Sequence, residues 1–139
     1  MHVFIRILFL ASCCIPYAVN ADGCLRYSGA PISLQGKVTL RTFFGPPDWG
    51  ETPATFKTDT LETQAILKLD TAICVDADPA QHADAEQDQK DITLVLYHNT
   101  KSFLPYVGKH VVVEGSLGAS PTGHYHTDLM IEVHRIETR

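Results

Sequence analysis

Alternation of apolar and polar side chains with a period of two is the feature that most restricts what this chain can fold into. It runs most clearly through residues 32–41, where the inward positions are Ile32, Leu34, Val38 and Leu40. A segment with this period forms a strand that buries one face, whereas an amphipathic helix needs a period near 3.6. Gly36 interrupts the inward face, and a bulge or a sharp bend is the usual reason for a glycine inside a strand.

Alternation returns in shorter segments along the rest of the chain, at residues 63–69, 72–75, 92–96, 111–117 and 129–133. In the first of these segments, Ile66 falls on the outward face. Asp70 and Thr71 are expected to form a tight turn before the next strand. The polar residues 76–90 predict a solvated loop with at most a helical turn, and the apolar residues 103–108 predict a turn that closes one end of the core.

The pattern predicts five to six strands, of which the first is long and bent and the others are short. This is an all-β fold. An OB-fold-like Greek-key barrel is the leading candidate, and a β-sandwich is the alternative. In the barrel, the inward positions of all strands should meet in one core that contains Leu34, Val38, Leu67, Leu94, Val111, Val113, Ile131 and Val133.

Residues 1–21 have the composition of a signal peptide. Arg6 supplies a positive start, residues 7–15 are uncharged and largely apolar, and Pro16 ends any helix. Ala21 is the expected cleavage position. Cleavage there leaves a single β domain, residues 22–139, with 16 acidic side chains against 10 lysines and arginines and therefore a net charge of −6.

This segment has two alternative fates besides cleavage, lipidation and membrane anchoring. Leu10-Ala11-Ser12-Cys13 resembles a bacterial lipobox, which would leave the protein lipid-anchored through Cys13. A membrane-spanning helix needs about 20 apolar residues, and the polar residues at both ends leave too few. Cleavage and lipidation both predict a periplasmic or secreted protein. The acidic charge makes nucleic acid and anionic lipid poor partners.

The four cysteines divide by position. Cys13 and Cys14 lie in the predicted signal peptide, whereas Cys24 and Cys74 remain in the mature domain. A single pair of cysteines in an exported domain predicts one disulfide bond, and two free buried cysteines are the alternative.

Six short motifs occur in a characteristic order. They are Cys24-Leu25-Arg26-Tyr27, residues 34–38 (LQGKV), residues 42–47 (TFFGPP), residues 69–76 (LDTAICVD), residues 107–113 (VGKHVVV) and residues 122–127 (TGHYHT). Together they resemble the small exported bacterial proteins grouped as domain of unknown function 4431. The resemblance implies a Gram-negative exported protein with a Cys24–Cys74 pair, and it implies no reaction.

The aromatic segment, residues 43–49, is the best candidate for a binding site. It places Phe43, Phe44 and the only tryptophan, Trp49, around the rigid residues Pro46 and Pro47. Rigid aromatic side chains on a loop are typical of binding hot spots. The alternative is that these rings fold back and cap the barrel.

Alternate positions of one segment hold His124, His126 and Asp128. In an extended strand all three side chains would point to one side, where imidazoles and a carboxylate can ligate zinc or a similar metal. His110 on a neighbouring segment could complete the set. The alternative, which we favour, is histidines that hydrogen-bond to their neighbours, so no cofactor is expected.

No catalytic motif is present. The chain has no Gly-x-Ser-x-Gly elbow, and paired cysteines cannot act as nucleophiles. A calcium loop starting at Asp76 would need a third ligand and a glycine where Ala80 and Gln81 stand. The sequence therefore favours a monomeric, non-enzymatic binding domain of the inhibitor or immunity type whose partner is an envelope or extracellular protein. A metal-binding protein is the first alternative, and an enzyme with an unrecognised site is the second.

Overall fold

The computed structural model describes residues 23–27, 30–54, 56–97 and 102–139. These residues form six strands, β1 (Leu25–Arg26), β2 (Ile32–Phe44), β3 (Leu61–Asp76), β4 (Glu86–Leu96), β5 (His110–Ala119) and β6 (Leu129–Thr138). Two single-turn 3-10 helices lie at Pro79–Gln81 and Leu104–Tyr106. Within this part of the chain no helix has the length and apolar character needed to span a membrane. The predicted signal peptide, its cleavage position and Cys13 lie outside the described residues.

Strands β2 to β6 close into a five-stranded barrel. β2 pairs antiparallel with β3 and with β5, and β5 pairs antiparallel with β6. β6 runs parallel to β4, and β4 closes the barrel by pairing antiparallel with β3. This is the Greek-key order of an OB-fold, so the predicted all-β barrel is confirmed and the β-sandwich alternative is not adopted. β1 adds a short parallel strand beside the end of β3.

The predicted core is confirmed. All eight residues named from the alternation are buried in one cluster: Leu34, Val38, Leu67, Leu94, Val111, Val113, Ile131 and Val133. One inward assignment is wrong, because Leu40 keeps 43% of its surface exposed. Leu40 lies in the half of β2 that pairs with β3 and has left β5, where the strand no longer lines the barrel interior.

Of the two reasons expected for Gly36, a bulge or a sharp bend, the structure has no bulge. The register of β2 with β5 is unbroken through this residue, and its pairing with β3 also begins here. A Cβ atom at Gly36 would lie 2.2 Å from the backbone oxygen of Lys68. Glycine is therefore required because β3 approaches the β2 backbone too closely for any side chain.

Two boundaries differ from the sequence prediction. Asp70 and Thr71 do not form a turn, because β3 continues through them to Asp76. They stand on exposed positions where the register between β3 and β4 shifts, so the turn-like composition marks an irregularity in the ladder. β4 begins at Glu86, inside the predicted loop. In the segment 103–108 Phe103 is buried as expected, whereas Leu104 is 68% exposed.

The disulfide prediction is confirmed. Cys24 and Cys74 are bonded, and their α-carbons lie 4.7 Å apart, within the range found in disulfides. The bond stands next to the short β1–β3 pairing, in which Leu25 lies opposite Val75. It therefore fixes the N-terminal arm of the domain to the barrel.

Candidate functional site

Two loops that are far apart in sequence meet at one side of the barrel. One is the β2–β3 loop, residues 45–60, which follows the two phenylalanines at the end of β2. The other is the β5–β6 loop, residues 120–128, which contains both candidate histidines. They connect the first to the second and the fourth to the fifth strand of the barrel. The two candidate segments named from the sequence therefore form one surface.

The conformation of Trp49 is fixed by a buried carboxylate. Asp59 is only 9% exposed, and its two oxygens accept the backbone N–H groups of Asp48 at 3.0 Å and Gly50 at 2.8 Å. Trp49, between those two residues, has a φ of +56°. A bulky residue adopts this left-handed conformation rarely, and only where its surroundings impose it. Here the hydrogen bonds to Asp59 impose it from both sides.

Rings from the end of β2 and from the β2–β3 loop contact the histidines of the β5–β6 loop directly. Phe43 stacks on the imidazole of His126, with ring centroids 4.3 Å apart and planes within 6°. Trp49 meets His124 edge to face at 4.9 Å, and its centroid lies 6.0 Å from that of His126. Trp49 remains 36% exposed. We call Phe43, Trp49, His124 and His126 the aromatic–histidine patch.

Glu62, the second residue of β3, joins the two histidines. Its Oε1 lies 2.6 Å from Nδ1 of His124, and its Oε2 lies 3.1 Å from Nε2 of His126. Because a carboxylate only accepts hydrogen bonds, both ring nitrogens donate to it. Partial desolvation raises the pKa of Glu62, but the hydrogen bonds and the positive character of the histidines outweigh it, so the pKa is lowered overall.

The β5–β6 loop also folds over the outer face of the barrel. The amide of Gln64 donates to the backbone oxygen of His124. The backbone N–H of Thr93 donates to Oγ1 of Thr127 at 3.0 Å. This cover leaves Thr93 only 2% exposed, and Ile66, its cross-strand neighbour, is fully buried. The side chain of Ile66 thus points outward, as predicted. It is nevertheless buried, because the β5–β6 loop covers that face.

The other members of the aromatic segment point elsewhere. Phe44 faces away from Phe43, as alternation in a strand requires, and stacks on Phe56 at 4.5 Å. Phe56 is itself 42% exposed. Pro46 is half-buried and Pro47 is exposed, and the peptide bond between them is cis. Of the five predicted binding residues, Phe43 and Trp49 belong to the aromatic–histidine patch, and the others border it.

The three side chains of the metal-binding alternative, His124, His126 and Asp128, do not all converge on one point. Residues 120–128 do not form the extended strand that would align the three side chains. Asp128 accepts a hydrogen bond from the Gln89 amide at 3.1 Å. His110 lies 3.4 Å from the carboxylate of Asp70. Across the described segments, no group of three or more His, Cys, Asp or Glu side chains has an arrangement that would hold a metal ion.

An acidic groove of about 470 Å³ adjoins the patch. Asp84, Glu86 and Asp128 line it, and His126 belongs to both the groove and the patch. Partial desolvation, followed by the negative charges of Asp128 and Asp84, raises the pKa of Glu86. The carboxyl of Glu86 is thus both partly desolvated and close to two negative charges.

Sequence reasoning identified both loops and missed Glu62. Its only signal was weak: Glu62 and Gln64 are two polar residues at alternate positions of β3, and they share the face on which the β5–β6 loop lies. The hydrogen bond between Glu62 and His124 spans 62 positions of the chain, so no local pattern could reveal it.

Comparison with known proteins agrees with the resemblance noted from the sequence. No curated protein and no solved structure matches this chain. The last two of the six ordered motifs lie within a matched region that also contains most of β4, all of β5 and most of β6. Residues 91–137 match the family model described as domain of unknown function, DUF4431.

Proposed function

We propose that this protein is an exported, non-enzymatic domain that binds another protein through the aromatic–histidine patch. The observation that carries the proposal is the enforced conformation of Trp49. Its backbone stands at φ +56°, a buried carboxylate imposes that conformation, and yet the ring is 36% exposed. Strained residues of this kind are concentrated at functional sites.

The chemistry of the patch is that of a protein-binding hot spot. Large flat rings that are held rigidly lose little conformational entropy when a partner docks. Trp49 and Phe43 are both held by ring contacts to the histidines, and the histidines are held by Glu62. The site is therefore organised before a partner arrives.

The position of the patch on the fold supports the same function. In OB-fold barrels the loops between strands one and two and between strands four and five are recurrent ligand-binding elements. Trp49, His124 and His126 lie on these same two loops, and Phe43 lies at the end of β2, just before the first of them. This is an analogy at the level of the fold, and the residues of the patch supply the specific argument.

Export is part of the proposal. Residues 1–21 have the composition of a signal peptide, and a disulfide between Cys24 and Cys74 is stable in oxidising compartments such as the periplasm or the extracellular space. An envelope or extracellular protein is therefore the expected partner, bound by a monomer of this chain.

The test is partner capture from an envelope extract with wild type and a Trp49→Asn variant. Asparagine removes the ring but tolerates the left-handed conformation, so the loop should keep its shape. Loss of an aromatic anchor typically costs about 2 kcal/mol of binding, roughly thirtyfold in affinity. The control is Leu104→Ala, which removes an exposed apolar side chain from a different surface, the Leu104–Tyr106 turn.

The result is interpretable only among variants of equal thermal stability. A partner recovered by wild type and Leu104→Ala, and lost by Trp49→Asn, would support the proposal. Equal recovery of every captured protein by all three forms would remove the patch from consideration as the binding site.

A further inference from the structure

The acidic side chains of this protein are concentrated around the patch. Residues 45–62, 77–91 and 119–128 contain ten Asp and Glu against two Lys, a net charge of −8. The predicted mature domain, residues 22–139, has 16 acidic and 10 basic residues, so the rest of this domain sums to +2. The negative charge is therefore concentrated in the segments that contain the candidate binding surface.

These three segments are contiguous in the folded domain. Glu62 in the first bonds to His124 in the third, and Gln89 in the second bonds to Asp128 in the third. The groove lined by Asp84, Glu86 and Asp128 opens beside His126. A partner that covers the patch therefore also faces this groove.

Some of the negative charge is already neutralised. Asp91 is paired with Arg41 at 2.7 Å, and the oxygens of Asp59 are occupied by the β2–β3 loop. Within the part of the chain that the structure describes, Asp84, Glu86 and Asp128 form no ion pair with a basic side chain. The neutral amide of Gln89 donates to Glu86 and to Asp128. Partial desolvation raises the pKa of Glu86, and the nearby charges of Asp128 and Asp84 raise it further.

We propose that the segment bound at the aromatic–histidine patch is a positively charged polypeptide, with an arginine or lysine side chain on Trp49 and further basic residues in the acidic groove. This inference rests on the proposed function and names the chemistry of the partner. The exposed face of a tryptophan attracts a guanidinium or ammonium group, and the carboxylates of the groove can pair with its neighbours. Complementary charge also speeds association and excludes acidic competitors.

The test uses hexa-arginine amide as a probe, with hexaglutamine and hexaglutamate as comparisons of equal length. Trp49 is the only tryptophan, so its fluorescence reports directly on the patch. We expect hexa-arginine to change this emission, and hexaglutamine and hexaglutamate to leave it unchanged. Its affinity should fall by roughly fivefold or more between about 20 mM and about 200 mM NaCl, because exposed charges are screened.

Two double variants identify the charges responsible. Glu86→Gln with Asp128→Asn removes two charges from the groove, whereas Glu114→Gln with Glu137→Gln removes two from the β5–β6 hairpin outside the acidic segments. Calorimetry should show at least a threefold loss of hexa-arginine affinity in the first and no change in the second. Equal losses in both variants, an unchanged Trp49 emission, or hexaglutamine binding as tightly as hexa-arginine would overturn the inference.

The same groove variant separates this inference from the proposed function. A captured partner that is lost by Trp49→Asn but fully retained by Glu86→Gln with Asp128→Asn would support the patch and refute a basic partner. A partner that is lost by both variants and kept by the hairpin variant would support both.

Discussion

Asp59 provides the sharpest test of how this site is held in place. Its buried carboxylate accepts the N–H groups on either side of Trp49, at 3.0 and 2.8 Å. An Asp59→Ala substitution removes both acceptors at once. Because the loop lies at the surface, water can replace part of what is lost, so the cost should be at the low end of the range for charged hydrogen bonds, about 1.5 kcal/mol each.

The magnitude follows from two opposing contributions. Loss of the two hydrogen bonds costs about 3 kcal/mol, and release of Trp49 from the left-handed conformation returns about 1 kcal/mol. The net destabilisation should be about 2 kcal/mol, which in a domain of this size lowers Tm by roughly 8 °C. Asp59→Asn keeps one acceptor oxygen and should lose about half as much.

The assay combines urea unfolding, followed by far-ultraviolet circular dichroism, with the emission spectrum of Trp49 in the native state. In Asp59→Ala the ring should leave the two histidines and its emission should shift toward that of a hydrated tryptophan. Asp48→Ala is the matched control, because it removes a neighbouring exposed charge and should change stability by less than about 0.5 kcal/mol. An Asp59→Ala variant with wild-type Tm and emission would refute the role given to this carboxylate.

Three further outcomes are expected. Val113→Asp should prevent folding, because Val113 is fully buried and an unpaired carboxylate there costs several kcal/mol; a wild-type melting curve would contradict the strand assignment. Glu62→Gln should lower Tm at pH 7 and converge with wild type as the pH falls below about 4.5. The pKa of Glu62 is lower in the folded than in the unfolded state, so its ionised form stabilises the fold at pH values above the unfolded pKa, and this stabilisation is lost when Glu62 is protonated. A Tm difference that persists at low pH would contradict this. Protein purified without chelator should contain far less than one equivalent of zinc, and near-stoichiometric zinc lost in a His124→Ala, His126→Ala variant would favour the metal-binding alternative.

The barrel was predictable because its determinant is local. A strand with one face in the core alternates along its own sequence, and each of the eight predicted core residues could be assigned from its immediate neighbours. The errors have a common cause. Leu40, Ile66 and the Asp70-Thr71 pair were assigned from the strand alone, whereas their exposure or pairing is decided by which other segment lies against that strand.

The sequence also indicated what kind of chemistry the histidine segment and the aromatic segment could supply, but not which residues each segment contacts. The histidines were recognised as groups that bind either a metal or neighbouring side chains, and the aromatic segment as either an anchor or a core cap. The choice between these alternatives depends on contacts made across the Greek key. Phe43 pairs with Glu62 in the β2–β3 ladder, which places the carboxylate beside the ring that stacks on His126.

Glu62 contacts both histidines of the His-x-His segment. A His-x-His segment offers two ligands to a metal only if the nitrogens that converge are free. In this structure both of those nitrogens donate to opposite oxygens of one carboxylate, and the two imidazoles contact Phe43 and Trp49. The same geometry makes the aromatic rings dependent on the histidines, since each ring rests on an imidazole that Glu62 orients. A substitution at Glu62 should therefore weaken partner binding even though Glu62 itself does not contact the partner. A substitution at Trp49 should weaken binding and leave the hydrogen bonds of Glu62 unchanged.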